Sequence, residues 1–259
     1  MRGYGKSAAM AAASNIGESR LFLIDYLLRL LRVLALLSIW RILFAGRGVV
    51  EGMTLPTVLT YTLVAEALAE PLAARTELPW AFWDGSITMR FLRPAGIIPL
   101  YAAEAVGQWS VGFALFSLPL LLCAPLIGVN PLPHSPLLAL SFVLSLGLAL
   151  SVGLALETIV VSLAVGWGLQ VFAMDRVRSA INLLFSGAFL PLALLPWGLG
   201  VIFGWLPFAS MASAPMRLYT GTGDPGRLLG IQAAWSLLLW PIALRCWRVN
   251  QERMISIGG

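Results

Sequence analysis

The sequence predicts an all-α polytopic membrane protein, and three observations carry that reading. The 259 residues are 59% hydrophobic and only 11% charged, with a mean hydropathy of +0.87. Apolar runs of about 20 residues, the length a hydrocarbon core requires, recur along the chain. The stretch 185–208 is as apolar as a span, yet it carries Pro191, Pro196 and Pro207 with Gly198, Gly200 and Gly204. Proline removes a backbone donor and clashes with the turn before it. Broken backbone at membrane depth is tolerated only where protein buries it or where it lines a cavity. A helix that enters, stops and turns back points to transport rather than to passive anchoring. No soluble domain is left over, so 1–259 reads as a single transmembrane domain.

The elements follow in order. Arg2 and Lys6 precede an Ala-rich run too short and too soon polar for a signal peptide, so a loosely helical cytosolic lead is expected. In 15–32, Glu18, Asp25, Arg29 and Arg32 are spaced by seven, four and three, which places them on one helical face. Ile16, Leu21, Leu23, Ile24, Leu27 and Leu28 fill the others. That pattern predicts an amphipathic helix in the inner headgroup region, with Asp25 and Arg29 set for an i,i+4 pair. The alternative is a plain extension of the first span. Six spans are expected, at 27–46, 55–74, 97–122, 137–165, 179–196 and 227–247. Gly147, Gly153 and the serines of the fourth suit close helix packing. Between the second and third spans, 80–93 is too apolar for an ordinary loop. Asp84 or Ser86 can cap a short helix there that Pro94 would end, and Trp80 and Trp83 suit either a gripped surface helix or a loop anchored at the interface.

Basic residues set the orientation. With the N-terminus inside, Arg2, Lys6, Arg20, Arg29, Arg32, Arg75, Arg90, Arg93, Arg176, Arg178, Arg245, Arg248 and Arg253 are internal, against Arg41, Arg47, Arg217 and Arg227 outside. Both termini are therefore expected in the cytoplasm. The net charge of +5 is a topology signal and not a nucleic-acid patch, because the arginines scatter along membrane edges.

Intramembrane carboxylates need a reason, since each costs at least ~2.5 kcal/mol at the bilayer centre. Glu66 and Glu70 fall in the second span, Glu104 in the third and Glu157 in the fourth. Glu66, Glu104 and Glu157 reach a common depth of ~10–12 Å at 1.5 Å per residue, and Tyr101, Glu104 and Gln108 share a face. One reading is an acidic inner vestibule. The other is that these groups pair with Arg29, Arg32 or serines and hold helices together. Proton coupling is a third.

Other chemistry is excluded. Gly5-Lys6-Ser7 lacks the upstream glycine and strand of a phosphate-binding loop. His134, the only histidine, has no convergent partners, so no metal site or catalytic triad is expected. Cys123 and Cys246 read as small apolar filler.

The residues Ser186, Gly187, Pro191, Leu192, Pro196, Leu206, Pro207, Phe208, Pro215, Tyr219 and Gly221 resemble the fifth-to-sixth-span signature of the short six-span bacterial type-2 ABC transporter permeases. Gly85, Ile87, Leu92, Arg93, Pro94 and Tyr101, with the terminal Gly258 and Gly259, are similar to the same group. The Trp and Gly content around 197–205 departs from it. The resemblance implies an exporter half in the bacterial plasma membrane, paired with a second permease and powered by a cytosolic ATPase dimer. ATP and Mg would bind that partner, and this chain would bind no cofactor. It implies that Trp83, Asp84, Arg90 and Arg93 lie in a coupling helix gripped by the ATPase, that 15–32 is a connecting helix, and that 197–219 is an outer re-entrant hairpin. An ion- or proton-coupled carrier using the glutamates is the competing class.

Overall fold

The protein, as a computed structural model, is described for residues 2–17, 22–91, 96–133 and 135–257. Glu18, Arg20, Leu92, Arg93, Pro94, His134, Gly258 and Gly259 lie outside the described residues, as does the side chain of Asp25, so the expectations placed on them are untouched.

The architecture is mostly helical, at 78%. The Ala-rich start forms α1 (Arg2–Gly17), followed by α2 (Phe22–Leu43). A tight hairpin of β1 (Val49–Val50) and β2 (Met53–Thr54) turns on Glu51 and Gly52, both with positive φ, as the common two-residue hairpin turn demands. Thr54 then caps α3 (Leu55–Ala67) by accepting from the Thr57 N–H. α4 (Ala69–Ala73), α5 (Leu78–Trp83) and α6 (Ile87–Phe91) follow. α7 (Ile97–Gly112) passes through a π-helical turn at Phe113–Ser117 into α8 (Leu118–Cys123). Ser135 caps α9 (Pro136–Gly166), and α10 (Val171–Phe185) follows. The short α11 (Leu199–Phe203) and α12 (Ser213–Tyr219) precede α13 (Pro225–Ile257).

Among the described residues, three helices are long and apolar enough to cross a membrane: Ile97–Ile127, Pro136–Gly166 and Pro225–Met254. They cover the expected third, fourth and sixth spans. At 1.5 Å per residue, the 31 residues of the first two give about 46 Å, well beyond a ~30 Å hydrocarbon core.

At the other expected spans the helices differ from the prediction in informative ways. No break separates 22–32 from the first span, because α2 runs through both. The second span divides at Leu68 (φ −105°, ψ 17°). Pro71 has no N–H to give to the Ala67 carbonyl, and the Ser117 hydroxyl donates to that carbonyl instead, at 2.5 Å. The fifth helix starts at Val171 and stops at Phe185, not at 196. Gly187 adopts φ +79°, and Leu192 packs where a Cβ on Gly187 would lie, so the chain leaves the helix there.

The two ends of the bundle differ. At one, here called the near end, α5 and α6 insert Leu78, Phe82 and Ile87 into a core made by Tyr101 of α7, Val161 of α9 and Trp247 of α13. The far end carries the β-hairpin, the α7–α9 connection and the segment 186–221. Its elements are tied by Thr60 to the Asn130 carbonyl (3.0 Å), by Arg41 to the Ile127 carbonyl and by Tyr219 to the Pro131 carbonyl.

α9 and α13 form the spine. Buried Gln232 accepts from Ser145 (2.8 Å) and donates to the carbonyls of Ser145 (3.0 Å) and Ser210 (2.8 Å). Ser151 meets Ser236 at 2.6 Å and accepts from the Trp240 indole at 2.8 Å. Gly153 lets α9 approach the end of α4, since a Cβ there would meet the Ala74 Cβ at 2.3 Å. Gly147 faces open space and serves no such contact. The N-terminal lead is a helix packed along α7: a Cβ on Gly107 would strike the Ala8 backbone, and the Tyr4 hydroxyl accepts from the Gly96 N–H at 3.3 Å.

Candidate functional site

Polar chemistry concentrates at the near end and around it. Each of the four glutamates singled out from the sequence has an arginine partner. Glu66 pairs with Arg32 at 2.5 Å, and Glu70 pairs with Arg29. Glu104 accepts from Arg90 at 2.5 Å. Glu157, only 2% exposed, lies 3.7 Å from Arg178 and accepts from the Thr76 backbone N–H at 2.9 Å. Arg90 and Arg178 join Arg29 and Arg32, the partners considered from the sequence.

They do not converge on one vestibule. Glu66, Glu70 and Gln108 line a cavity of about 960 Å³ between α2, α4, α5 and α7, together with Arg29, Arg32, Arg75 and Glu77. Glu104 lies at the α6–α7 contact, and Glu157 is sealed behind α10. The common depth inferred from helical rise therefore describes three separate pairs.

The segment expected at 80–93 is a knuckle of two short helices. Trp80 and Trp83 pack at 4.8 Å between ring centroids and meet Phe172 of α10 edge-on. Trp83 remains 63% exposed and Met89 68% exposed. Asp84 is exposed at the bend, where it accepts from the Ser86 N–H at 2.9 Å and Gly85 takes φ +74°. That N–H, with the Ser86 hydroxyl, holds the Asp84 carboxyl below the usual carboxylate range. Arg90 turns inward to Glu104 and lies over the Tyr101 ring, 4.4 Å from its centroid.

Sequence reasoning missed the deepest charge cluster. Arg178 counted only as a topology charge, yet it is 4% exposed. It donates to Asp175 at 2.8 Å, faces Glu157, and its other amino group reaches the Ala73 carbonyl at 3.5 Å. The signal was present, since Asp175 and Arg178 are one helical turn apart at the start of a span. Through this cluster the segment 73–76, which leads into the knuckle, is tied to α9 and α10.

At the far end, 186–213 closes on itself. The Ser213 N–H donates to the Ser186 carbonyl at 2.8 Å, and the Tyr61 hydroxyl donates to the Gly187 carbonyl at 2.7 Å. Pro191 and Pro196 each open a 3-10 turn, and Trp197, 90% exposed with φ 58°, marks the tip. Pro207 and Phe208 lie in a run of turns, with Phe208 against Phe185 at 6.5 Å, and Pro215 is buried in α12. The five residues of α11 and the seven of α12 are each too short to cross a hydrocarbon core.

Among the described residues, no cluster of His, Cys, Asp or Glu has the geometry to hold a metal. With these arrangements in view, comparison with known proteins becomes decisive. A family described as ABC-2 family transporter protein matches residues 30–258. The chain belongs to that family. Searches of curated proteins and of solved structures each returned no match. An ABC-2 permease is the membrane component of an ABC transporter and associates with an ABC ATPase; its role is transport and not catalysis. The apolar helices and the family together give the protein a membrane location.

Proposed function

We propose that this ABC-2 chain is one permease half of an ATP-driven exporter in the bacterial plasma membrane, paired with a second permease and driven by a cytosolic ATPase dimer that binds the ATP and Mg. The near end is cytoplasmic, and the α5–α6 knuckle is the surface that the ATPase grips. The observation carrying this reading is the knuckle itself. It exposes Trp83 and Met89 outward while its other face is locked into the ends of three long helices. A push on such a surface reaches α7 through Arg90–Glu104 and reaches α9 and α10 through Thr76–Glu157–Arg178. In this reading, 197–219 forms the outer re-entrant hairpin, and the bundle crosses the membrane six times.

The carrier alternative drew on unexplained glutamates. Each has an arginine partner that accounts for its presence, so nothing specific favours proton coupling.

Cysteines placed at 80, 83 and 89 should crosslink to the cognate ATPase in membranes. Labelling of those positions only by periplasmic reagents, with no ATPase adduct, would refute the proposal.

A further inference from the structure

We propose that the cavity between α2, α4, α5 and α7 binds the headgroup of a zwitterionic aminophospholipid: a phosphate joined to a primary ammonium, drawn from the leaflet at the near end.

The cavity's charges balance. Arg29, Arg32 and Arg75 face Glu66, Glu70 and Glu77. A simple anion would meet three carboxylates and a simple cation three guanidiniums, so the matching ligand carries both signs. The balance is also incompletely used. Arg32 spends one amino group on Glu66 and is 56% exposed. Arg75 and Glu77 are both exposed, and among the described residues neither side chain has a hydrogen bond or an ion pair. They flank Thr76, whose N–H is held by buried Glu157, so the backbone from which both side chains project is anchored.

The remaining walls fit the same ligand. A phosphate is recognised by guanidinium forks such as those of Arg32 and Arg75. An ammonium is held by a carboxylate and by aromatic faces, which Glu77, Trp80 and Trp109 supply. Buried Phe116 and exposed Leu28 add apolar surface to the lining, suiting the glycerol and upper acyl region rather than water. About 960 Å³ is at the upper end of the range that encloses a whole small ligand. The mouth at Arg75 and Glu77 lies at the near end of α4, where headgroups stand.

This inference goes beyond the exporter reading and does not need it. Binding is measured on the chain alone, so it can fail while knuckle crosslinking succeeds, and the reverse. The full chain in detergent would be titrated calorimetrically with dihexanoyl-phosphatidylethanolamine, dihexanoyl-phosphatidylglycerol and free phosphoethanolamine. Saturable binding of the ethanolamine lipid is expected, weakened about tenfold by Arg75→Ala and by Glu77→Ala, as loss of one charge-assisted hydrogen bond predicts. Both side chains are exposed, so both variants should melt with the parent. Equal affinity for the glycerol lipid, no effect of either substitution, or no saturable binding would each overturn the proposal. Free phosphoethanolamine binding as tightly as the lipid would overturn it too, by assigning the cavity to a soluble solute.

Discussion

Arg178 is the residue on which most depends. It is buried among Asp175, Glu157 and the Ala73 carbonyl. Removing one partner of a buried ion pair leaves an uncompensated charge and costs about 3–5 kcal/mol. Arg178→Ala should therefore melt well below the parent in detergent, and Arg178→Met with Glu157→Gln should recover most of the loss; a single variant as stable as the parent would remove the cluster's structural role. Asp84 makes a smaller, pH-linked contribution. Its carboxyl is held below the usual range by the Ser86 N–H and hydroxyl. A group with a lowered folded pKa contributes stability above its unfolded value, ~3.9 for aspartate, and loses it as pH falls through the folded value. Asp84→Asn should accordingly loosen the α5–α6 bend at neutral pH, read as faster amide exchange at Ser86 than in the parent at the same pH. Glu66, Glu70, Glu104 and Glu157 were legible as anomalies because charge stands out in apolar sequence. Arg178 and Gln232 were not. Arg178 was absorbed into a count of basic residues, and the partners of Gln232, Ser145 and Ser210, are far away in the chain.

At the scale of elements, the long helices were readable because their apolar runs end at strong signals. Ser135-Pro136 starts α9, and Pro225 starts α13. α10 was misplaced because its first half carries Asp175, Arg176 and Arg178, so hydropathy registers only its second half. The π-turn Phe113–Ser117 before Pro119 was invisible for another reason: regular 3.6 periodicity is assumed when faces are read. The packing of α1 could not be inferred either, since the close approach at Gly107 depends on a lone glycine in an apolar run, which has no single meaning. Gly107→Val should push α1 off α7 and speed tryptic cleavage at Lys6, which is exposed but held in a packed helix, while α9 and α13 stay protected; unchanged cleavage would mean that the contact does not hold α1. In the knuckle, Trp83→Ala removes an exposed ring that anchors no core cluster. It should lower the melting temperature only slightly, through its contacts with Trp80 and Phe172, and weaken ATPase association by about tenfold or more, as loss of an aromatic hot spot does.

At the scale of the molecule, the chain reads as one part of a machine. Its sequence offers no phosphate-binding loop, and its exposed knuckle makes sense as a surface to be gripped. The purified chain should show no ATPase activity, and adding the cognate ATPase and second permease should restore both hydrolysis and transport. Proton-driven transport by the lone chain in proteoliposomes, abolished by Glu66→Gln or Glu104→Gln, would reverse that reading. Reporter fusions after Gly221 should report an extracytoplasmic site; a cytoplasmic signal there would invert the topology. The lobe between Ser186 and Ser213 has a consequence of its own. Its two ends leave and re-enter the bundle at one hydrogen-bonded neck, and its tip at Trp197 stands almost fully in the open. Lengthening or shortening the chain at that tip should therefore leave the register of α10 and α12 undisturbed. The lobe is thus a place where such a transporter can diversify the far end of the bundle cheaply in evolution, and where an experimenter can graft an epitope without retuning the bundle below.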